Sequence, residues 1–427
     1  MNLAAPFRRL MHGRTALPRS VFVLASISFT VAVGFGVMLP VLPVFAKSFG
    51  VGTFAASAVV SAFAFARLVA APGVGPLLSR TGEKPILVAG ILIVAVSTAA
   101  SALAASYVQF LIFRGVGGIG SAMFSVSGMT LLLNTVAPDL RGRASSFYMG
   151  GFLLGGMAGP AIGGLLAAIS LRAPFFFYAG ALVVAGAIGI VVLRSSDRHR
   201  SPDAAEVRPL RAVLRDPRFQ AAAVAGLGQG WTSFGVRSAL VPIMVVEVLH
   251  REPSWTAVAF TVSSVVQALL LGPAGRFVDV VGRRPAMIAA GLVGAGAIVG
   301  ASFATNIWVL TIALSVYGAG AAFLSTAPPA AVGDAAGARS GTPVALFSMI
   351  TDLGAIIGPL AAGWIAGHGS YPLAFGVGAV IMVGGSLLAV RMPGGPPGRL
   401  DTADDTDPAR SGPPNTGEGR TGPGRRS

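Results

Sequence analysis

The sequence contains no cysteine, only 16 acidic residues and only four histidines in 427 positions. Without cysteine there is no disulfide framework, thiol nucleophile or thiolate metal site. Charged residues of both signs make up 11% of the chain, against roughly 25% in an ordinary soluble domain. Water is therefore not its main solvent. The histidines His12, His199, His250 and His368 fall outside the apolar runs or at their ends. No HExxH motif or Ser or Cys triad neighbourhood accompanies them. The expectation is a protein that is not an enzyme and that needs neither metal nor cofactor.

What the chain has is apolar length. Hydrophobic residues make up 54% of it and the mean hydropathy is +0.76. Apolar runs recur along the chain, most of them reaching the roughly 20 residues that cross a bilayer. Twelve spans are expected, at 21–45, 53–78, 85–105, 107–135, 144–169 and 174–193, then 219–248, 254–278, 285–304, 307–333, 342–367 and 372–391. This is an all-α membrane protein of two six-helix halves, 21–193 and 219–391. The halves are flanked by an N-terminal segment (1–20), a basic linker (194–218) and a tail (392–427) whose Pro, Gly, Asp and Arg content predicts disorder. The N-terminal segment carries Arg8, Arg9, Arg14 and Arg19 but no short apolar core with a cleavage site, so the first run reads as a retained helix.

The net charge of +15 raises the question of nucleic acid. Position answers it. With twelve spans and a cytoplasmic N-terminus, Lys47, Arg172 and Arg251 fall outside the cell, Arg67, Arg114 and Arg237 lie well inside spans, and the remaining basic residues are cytoplasmic. That asymmetry is the positive-inside pattern of a protein in the cell membrane, with both termini cytoplasmic. The basic stretches lack interleaved aromatics, so no nucleic-acid partner is expected. The expected partners are the lipid bilayer, protons and a small-molecule substrate, with the protein a monomer.

The chain also repeats itself, half against half. GPLLSRTGEKP at 75–85 answers GRFVDVVGRRP at 275–285, Gly118 and Gly120 answer Gly318 and Gly320, and GGMAGPAIGG at 155–164 answers GAIIGPLAAG at 354–363. Repeated halves of this kind are a feature of secondary transporters, whose substrate site lies near the midplane between the halves.

On these residues the chain resembles the major facilitator superfamily over about residues 20–391. The family's signature after the second helix has a first copy here in Gly75, Ser79, Arg80, Gly82, Glu83 and Lys84, and a second in Gly275, Asp279, Val280, Gly282, Arg283 and Arg284. Glycine permits the sharp turn and the basic residues hold it in the cytoplasm. The resemblance implies a further role for the acidic position, which latches the halves by facing a neighbouring helix N-terminus. Asp279 can do so. Ser79 supplies no charge. In the fourth span, Arg114 with Gly118 and Gly120 resembles the motif whose Arg is implicated in proton movement; the alternative is an Arg snorkelling to the outer surface. GVGGIG at 115–120 matches a dinucleotide fingerprint but lacks the strand and βαβ unit that would make it one.

In the fifth span Gly151, Gly155, Gly159, Pro160, Gly163 and Gly164 resemble the motif associated with proton-driven exporters. It is echoed by Gly354, Gly358, Pro359 and Gly363 in the eleventh. Glycine at every fourth position makes a flat face for close helix approach, and Pro permits a bend. Asp352 is the acidic residue placed well inside a span. Low dielectric favours a neutral carboxyl and a nearby Arg favours the charged one, so separating the two converts movement into proton uptake. Arg67 and Asp352 both lie roughly 22 Å from the outer ends of their spans, from the helical rise per residue. An ion pair between them across the halves is expected, with Arg237 as the competing partner. Gln229, Trp231, Gln267 and Tyr317 are candidates to contact substrate, while Glu247, His250, Arg251 and Glu252 read as a solvated outer rim.

The function expected from these features is proton-coupled export of a small apolar or amphiphilic compound, a drug or secondary metabolite, by alternating access. Proton-coupled uptake of a metabolite or sugar is the alternative within the class. A membrane receptor or a membrane-embedded enzyme is the alternative outside it.

Overall fold

The computed structural model describes residues 17–136, 140–193, 210–336 and 341–393. Six spans build the first half: α1 (Arg19–Met38), α2 (Thr53–Thr81), α3 (Glu83–Ala102), α4 (Tyr107–Thr135), α5 (Arg141–Ile169) and α6 (Ala173–Val192). In the second half, α7 is a composite of Pro217–Gly230, Trp231–Leu240 and Val241–Glu247. It is followed by α8 (Ser254–Val280), α9 (Arg283–Ser302), α10 (Ile307–Leu324, continued by Ala327–Ala336), α11 (Gly341–His368) and α12 (Tyr371–Ala389). Among the described residues, 11 helices are long and apolar enough to cross a membrane. The twelfth, α7, is divided because Trp231–Leu240 is π-helical. Each half has its own apolar core, one including Leu24, Leu87, Phe110 and Phe175 and the other Phe260, Leu314, Tyr317 and Phe375. Large apolar side chains such as Val191 (82% exposed) and Leu165 (75%) point outward, where only lipid makes that exposure favourable.

Several span boundaries differ from the sequence expectation. The expected 21–45 run breaks after Met38, and Leu42–Lys47 forms a separate short helix. Pro40 and Pro43 each remove a backbone donor there. The span expected from 219 starts at Pro217, with Asp216 accepting a bond from the Arg218 N–H at 2.8 Å as its N-cap. The expected disordered tail and most of the expected linker lie outside the described residues.

The turns after α2 and α8 need glycine. Gly82 and Gly282 have φ of +86° and +118°, a region closed to most side chains. The repeat extends to side chains that the sequence comparison had not paired. Asn134 donates to Glu83 at 2.9 Å, and at the matching place in the second half Arg283 pairs with Asp334 at 2.7 Å. Each bond fastens the start of one helix to the end of the next within its own half, with the chemistry exchanged.

The glycine ladders face two ways. An added Cβ at Gly155, Gly159 or Gly163 would lie under 3.0 Å from α1 backbone atoms, and one at Gly354 or Gly358 under 3.0 Å from α7 backbone atoms. Gly164 and Gly363, at the outer ends, instead meet Ala257 and Ser57 of the opposite half.

Candidate functional site

The halves meet along α2 and α11, which run antiparallel. From the outer end inward, Gly363 packs on Ser57, the Ser61 hydroxyl donates to the Ile356 carbonyl at 2.7 Å, and Arg67 forms an ion pair with Asp352. That pair is the innermost polar tie between the halves among the described residues. Beyond it, Val69 is 61% exposed, Met349 is 51% exposed, and Gly73 and Gly75 face open space. The bundle is therefore closed toward the loops at 47 and 247 and open toward the chain termini. The pair lies at the apex of the opening, with the Arg67 and Asp352 side chains 32% and 25% exposed.

Arg237, the expected competitor, does not reach Asp352. Its guanidinium lies 4.7 Å from the Phe260 ring centre and donates to Ser264 at 3.3 Å.

Beside the pair lies a cleft with about 790 Å³ of atom-free space, counting its mouth. Its walls are Val31, Phe35, Leu39 and Leu42 from α1 and the residues following it, Val60, Phe63, Ala64 and Arg67 from α2, and Arg114, Ser121, Phe124 and Ser125 from α4. Phe152 of α5 and Tyr178 of α6 complete the first-half wall, and the second half contributes Phe234 and Ala355. Phe35 and Phe234 meet across the halves at 6.3 Å between ring centres. Arg114 does not snorkel: it is 5% exposed, 4.6 Å from the Phe63 ring centre, in the cleft wall. Helix geometry explains the placement, since Phe63 is one turn before Arg67 on the same face.

The four expected substrate contacts lie elsewhere. Tyr317 is 1% exposed, its hydroxyl bonded to Ser233 at 2.9 Å and Thr232 at 3.3 Å. Trp231 is packed in the same second-half core, its ring against Gly378. Neither Gln229 nor Gln267 is among the residues lining the cleft. A buried hydroxyl or indole took a partner or a packing site within its own half, which composition could not distinguish from a cavity lining.

Asp279 is exposed and, among the described residues, forms no hydrogen bond or ion pair. Ser79 donates its hydroxyl to the Pro76 carbonyl at 2.7 Å.

At the closed end, Lys47 and Glu247 form an ion pair of 2.7 Å across the halves, and the Tyr371 hydroxyl reaches Glu247 at 3.5 Å. On its own Glu247 is a solvated rim charge; the fold gives it a partner in the opposite half. A half-exposed pair of this kind is worth about 0.2–1 kcal/mol. Glu247→Lys is thus expected to raise opening of this end by up to about fivefold, and Lys47→Glu combined with Glu247→Lys to restore it. Because the chain has no cysteine, labelling of Ser57→Cys, buried at the closed seam, by an impermeant maleimide reads the change directly. Equal labelling with and without Glu247→Lys would show that the pair does not hold the seam.

The family model described as Major Facilitator Superfamily matches residues 24–250 and again 230–415, one match for each half. Among curated relatives, the synaptic vesicular amine transporter of Mus musculus is 35% identical over 147 residues, which is 34% of this chain and 28% of that protein. The quinolone resistance protein NorA of Staphylococcus aureus (strain MRSA252) is 29% identical over 176 residues, 41% of this chain and 45% of that protein. These matches thus span less than half the length of the relatives. Among solved structures, a bacterial homologue of the human lysosomal transporter Spinster, in an inward-facing, occupied conformation, superposes with a TM-score of 0.67 at 16% identity, covering 90% of this chain and 95% of that one. The human organic anion transporter MFSD10 (TETRAN) does so at 0.64 and 17% identity, covering 87% and 100%. Two matches of one family model, one per half and together spanning the described spans, place this chain in the major facilitator superfamily.

Proposed function

We propose that the protein is a proton-coupled exporter of small amphiphilic compounds that works by alternating access. The observation that carries this reading is the Arg67–Asp352 pair, an intramembrane ion pair that joins the halves and lies at the apex of the opening. With the termini cytoplasmic, the described state is inward-facing. Substrate enters the cleft from the cytoplasm and Asp352 exchanges its proton with the same side. Charged, Asp352 holds Arg67 and the outer seam closed. Neutralised by a proton taken from outside in the opposite state, it releases that hold until the halves rock back. An intramembrane carboxylate whose partner is set by domain position is the element such coupling needs.

The cleft supports the substrate class. Phe35, Phe63, Phe124, Phe152 and Phe234 select for flat apolar shape, with few hydrogen-bonding groups to demand a polar ligand. The export direction draws on the glycine ladder of α5 and on the relatives named for quinolone resistance and vesicular amine transport. Cells overexpressing the protein and loaded with a panel of fluorescent aromatic compounds are expected to clear at least one of them, and a protonophore to stop the clearance. Energised accumulation of a compound, with no protonophore-sensitive efflux of any, would reverse the direction.

A further inference from the structure

Arg114 has no counter-charge among the described residues. It is 5% exposed, its Nε is buried without a hydrogen-bond partner, and among the described residues no carboxylate pairs with it. Its neighbour in the wall, Arg67, is answered by Asp352. The remaining polar groups of the cleft, Ser121, Ser125 and Tyr178, are neutral. The cleft thus carries one uncompensated positive charge in a low-dielectric wall, an arrangement that is unfavourable when empty and relieved by an anion. Arg237 also has a buried, unpartnered Nε but bonds the Ser264 hydroxyl through another nitrogen and lies outside the cleft wall. For a cationic substrate the Arg114 charge is a penalty, and for an anionic one it is a partner.

Resting on the reading that substrate leaves through this cleft, we infer that the substrate is an organic monoanion, an aromatic or similarly flat apolar body bearing one carboxylate or sulfonate. The guanidinium fork of Arg114 matches two oxygens of such a group. The Phe63 face fixes the plane of that fork from one side, leaving the nitrogens that face the cleft for the ligand. Phe35, Phe124 and Phe152 take the apolar body. Exchange of one proton for one monoanion moves two charges in the same electrical sense per cycle. Export of an anionic probe is therefore more voltage-dependent than export of its neutral ester.

The test uses the full chain, purified and in proteoliposomes, with three matched probes: a fluorescent naphthalene carboxylate, its methyl ester and the corresponding naphthylalkyl amine. The carboxylate is expected to bind about tenfold or more tighter than either of the others. Arg114→Gln is expected to erase that preference while leaving ester affinity within about twofold, which also reports that the variant is folded. Equal affinities, a preference for the amine, or a carboxylate preference that survives Arg114→Gln would overturn the inference. Where Arg114→Gln does not fold, the ranking of the three probes on the unmodified protein decides alone. Proton-driven movement of the ester or amine without binding of the carboxylate would sink the anion site and leave export standing. Binding of the carboxylate through Arg114, with no probe moved by an imposed proton gradient, would sink the export reading and leave the site.

Discussion

Asp352→Asn is expected to abolish concentrative transport while leaving substrate exchange intact. A proton moving through about 100 mV releases about 2.3 kcal/mol, enough to sustain a gradient of about 50-fold. A coupled exporter lacking its proton carrier loses that factor entirely, and substrate runs to equilibrium. Binding and exchange at equal concentrations need no proton and persist, because the carboxylate is not among the residues lining the cleft. Asparagine can still accept a bond from Arg67, so the α2–α11 seam stays closed by its outer contacts at Ser61 and Ser57. The reciprocal Arg67→Gln removes the cation that answers Asp352 across the halves and also uncouples. Proteoliposomes with an imposed proton gradient separate the outcomes. Full accumulation by Asp352→Asn would show the pair to be a fixed tie and move the proton site elsewhere.

The parts of this site that were legible in the sequence are those fixed by distance along a helix. Arg67 and Asp352 could be matched because both spans reach the same membrane surface and each helical residue advances by the same fixed rise. The glycine ladders and the turns at Gly82 and Gly282 could be read because their spacing leaves few other conformations. What the sequence could not supply was direction around the helix axis in a bundle where nearly every face is apolar. In water, the polar stripe shows which way a helix turns; here lipid-facing and core-facing residues are both leucine, valine and phenylalanine. Trp231 and Tyr317 lie on helices expected near the cavity, yet both are packed in the core of their own half. Phe63 and Tyr178, which do line the cleft, carried no signal beyond being aromatic. The Lys47–Glu247 pair is hidden for a different reason, since two rim charges at the ends of distant helices become partners only after both halves are built and docked. The π-helical register of Trp231–Leu240 has no spacing signature at all. Arg237 lies within it.

The glycine motif of α5 makes the second large prediction, because adjacent glycines in it do opposite things. A Cβ at Gly155 would lie under 3.0 Å from the Phe29 carbonyl oxygen of α1, well inside contact distance, and no side-chain rotation relieves a clash with backbone. A Cβ at Gly156, one residue on, would meet nothing within 4 Å. Gly155→Leu is expected to push α1 off α5 and cost about 3 kcal/mol, the upper end of ordinary overpacking, with loss of most folded protein. Gly156→Leu is expected to fold normally. Size-exclusion profiles and thermal stability in detergent distinguish them, and equal behaviour of the two variants would mean that α1 and α5 are not in fixed contact. Gly164 belongs to neither case. Its Cβ would meet Ala257 of the other half at 2.5 Å, so a leucine there obstructs the seam between the halves rather than a core within one of them. The expected result is a folded protein whose outer end cannot close, with impermeant labelling of Ser57→Cys raised and transport lost. If Gly164→Leu instead unfolds the protein as Gly155→Leu does, the halves are welded at that seam and do not part there during transport. The same glycine-rich face would then serve two distinct surfaces only in sequence, and rocking about the outer α5–α8 contact would have to be replaced by movement elsewhere in the bundle.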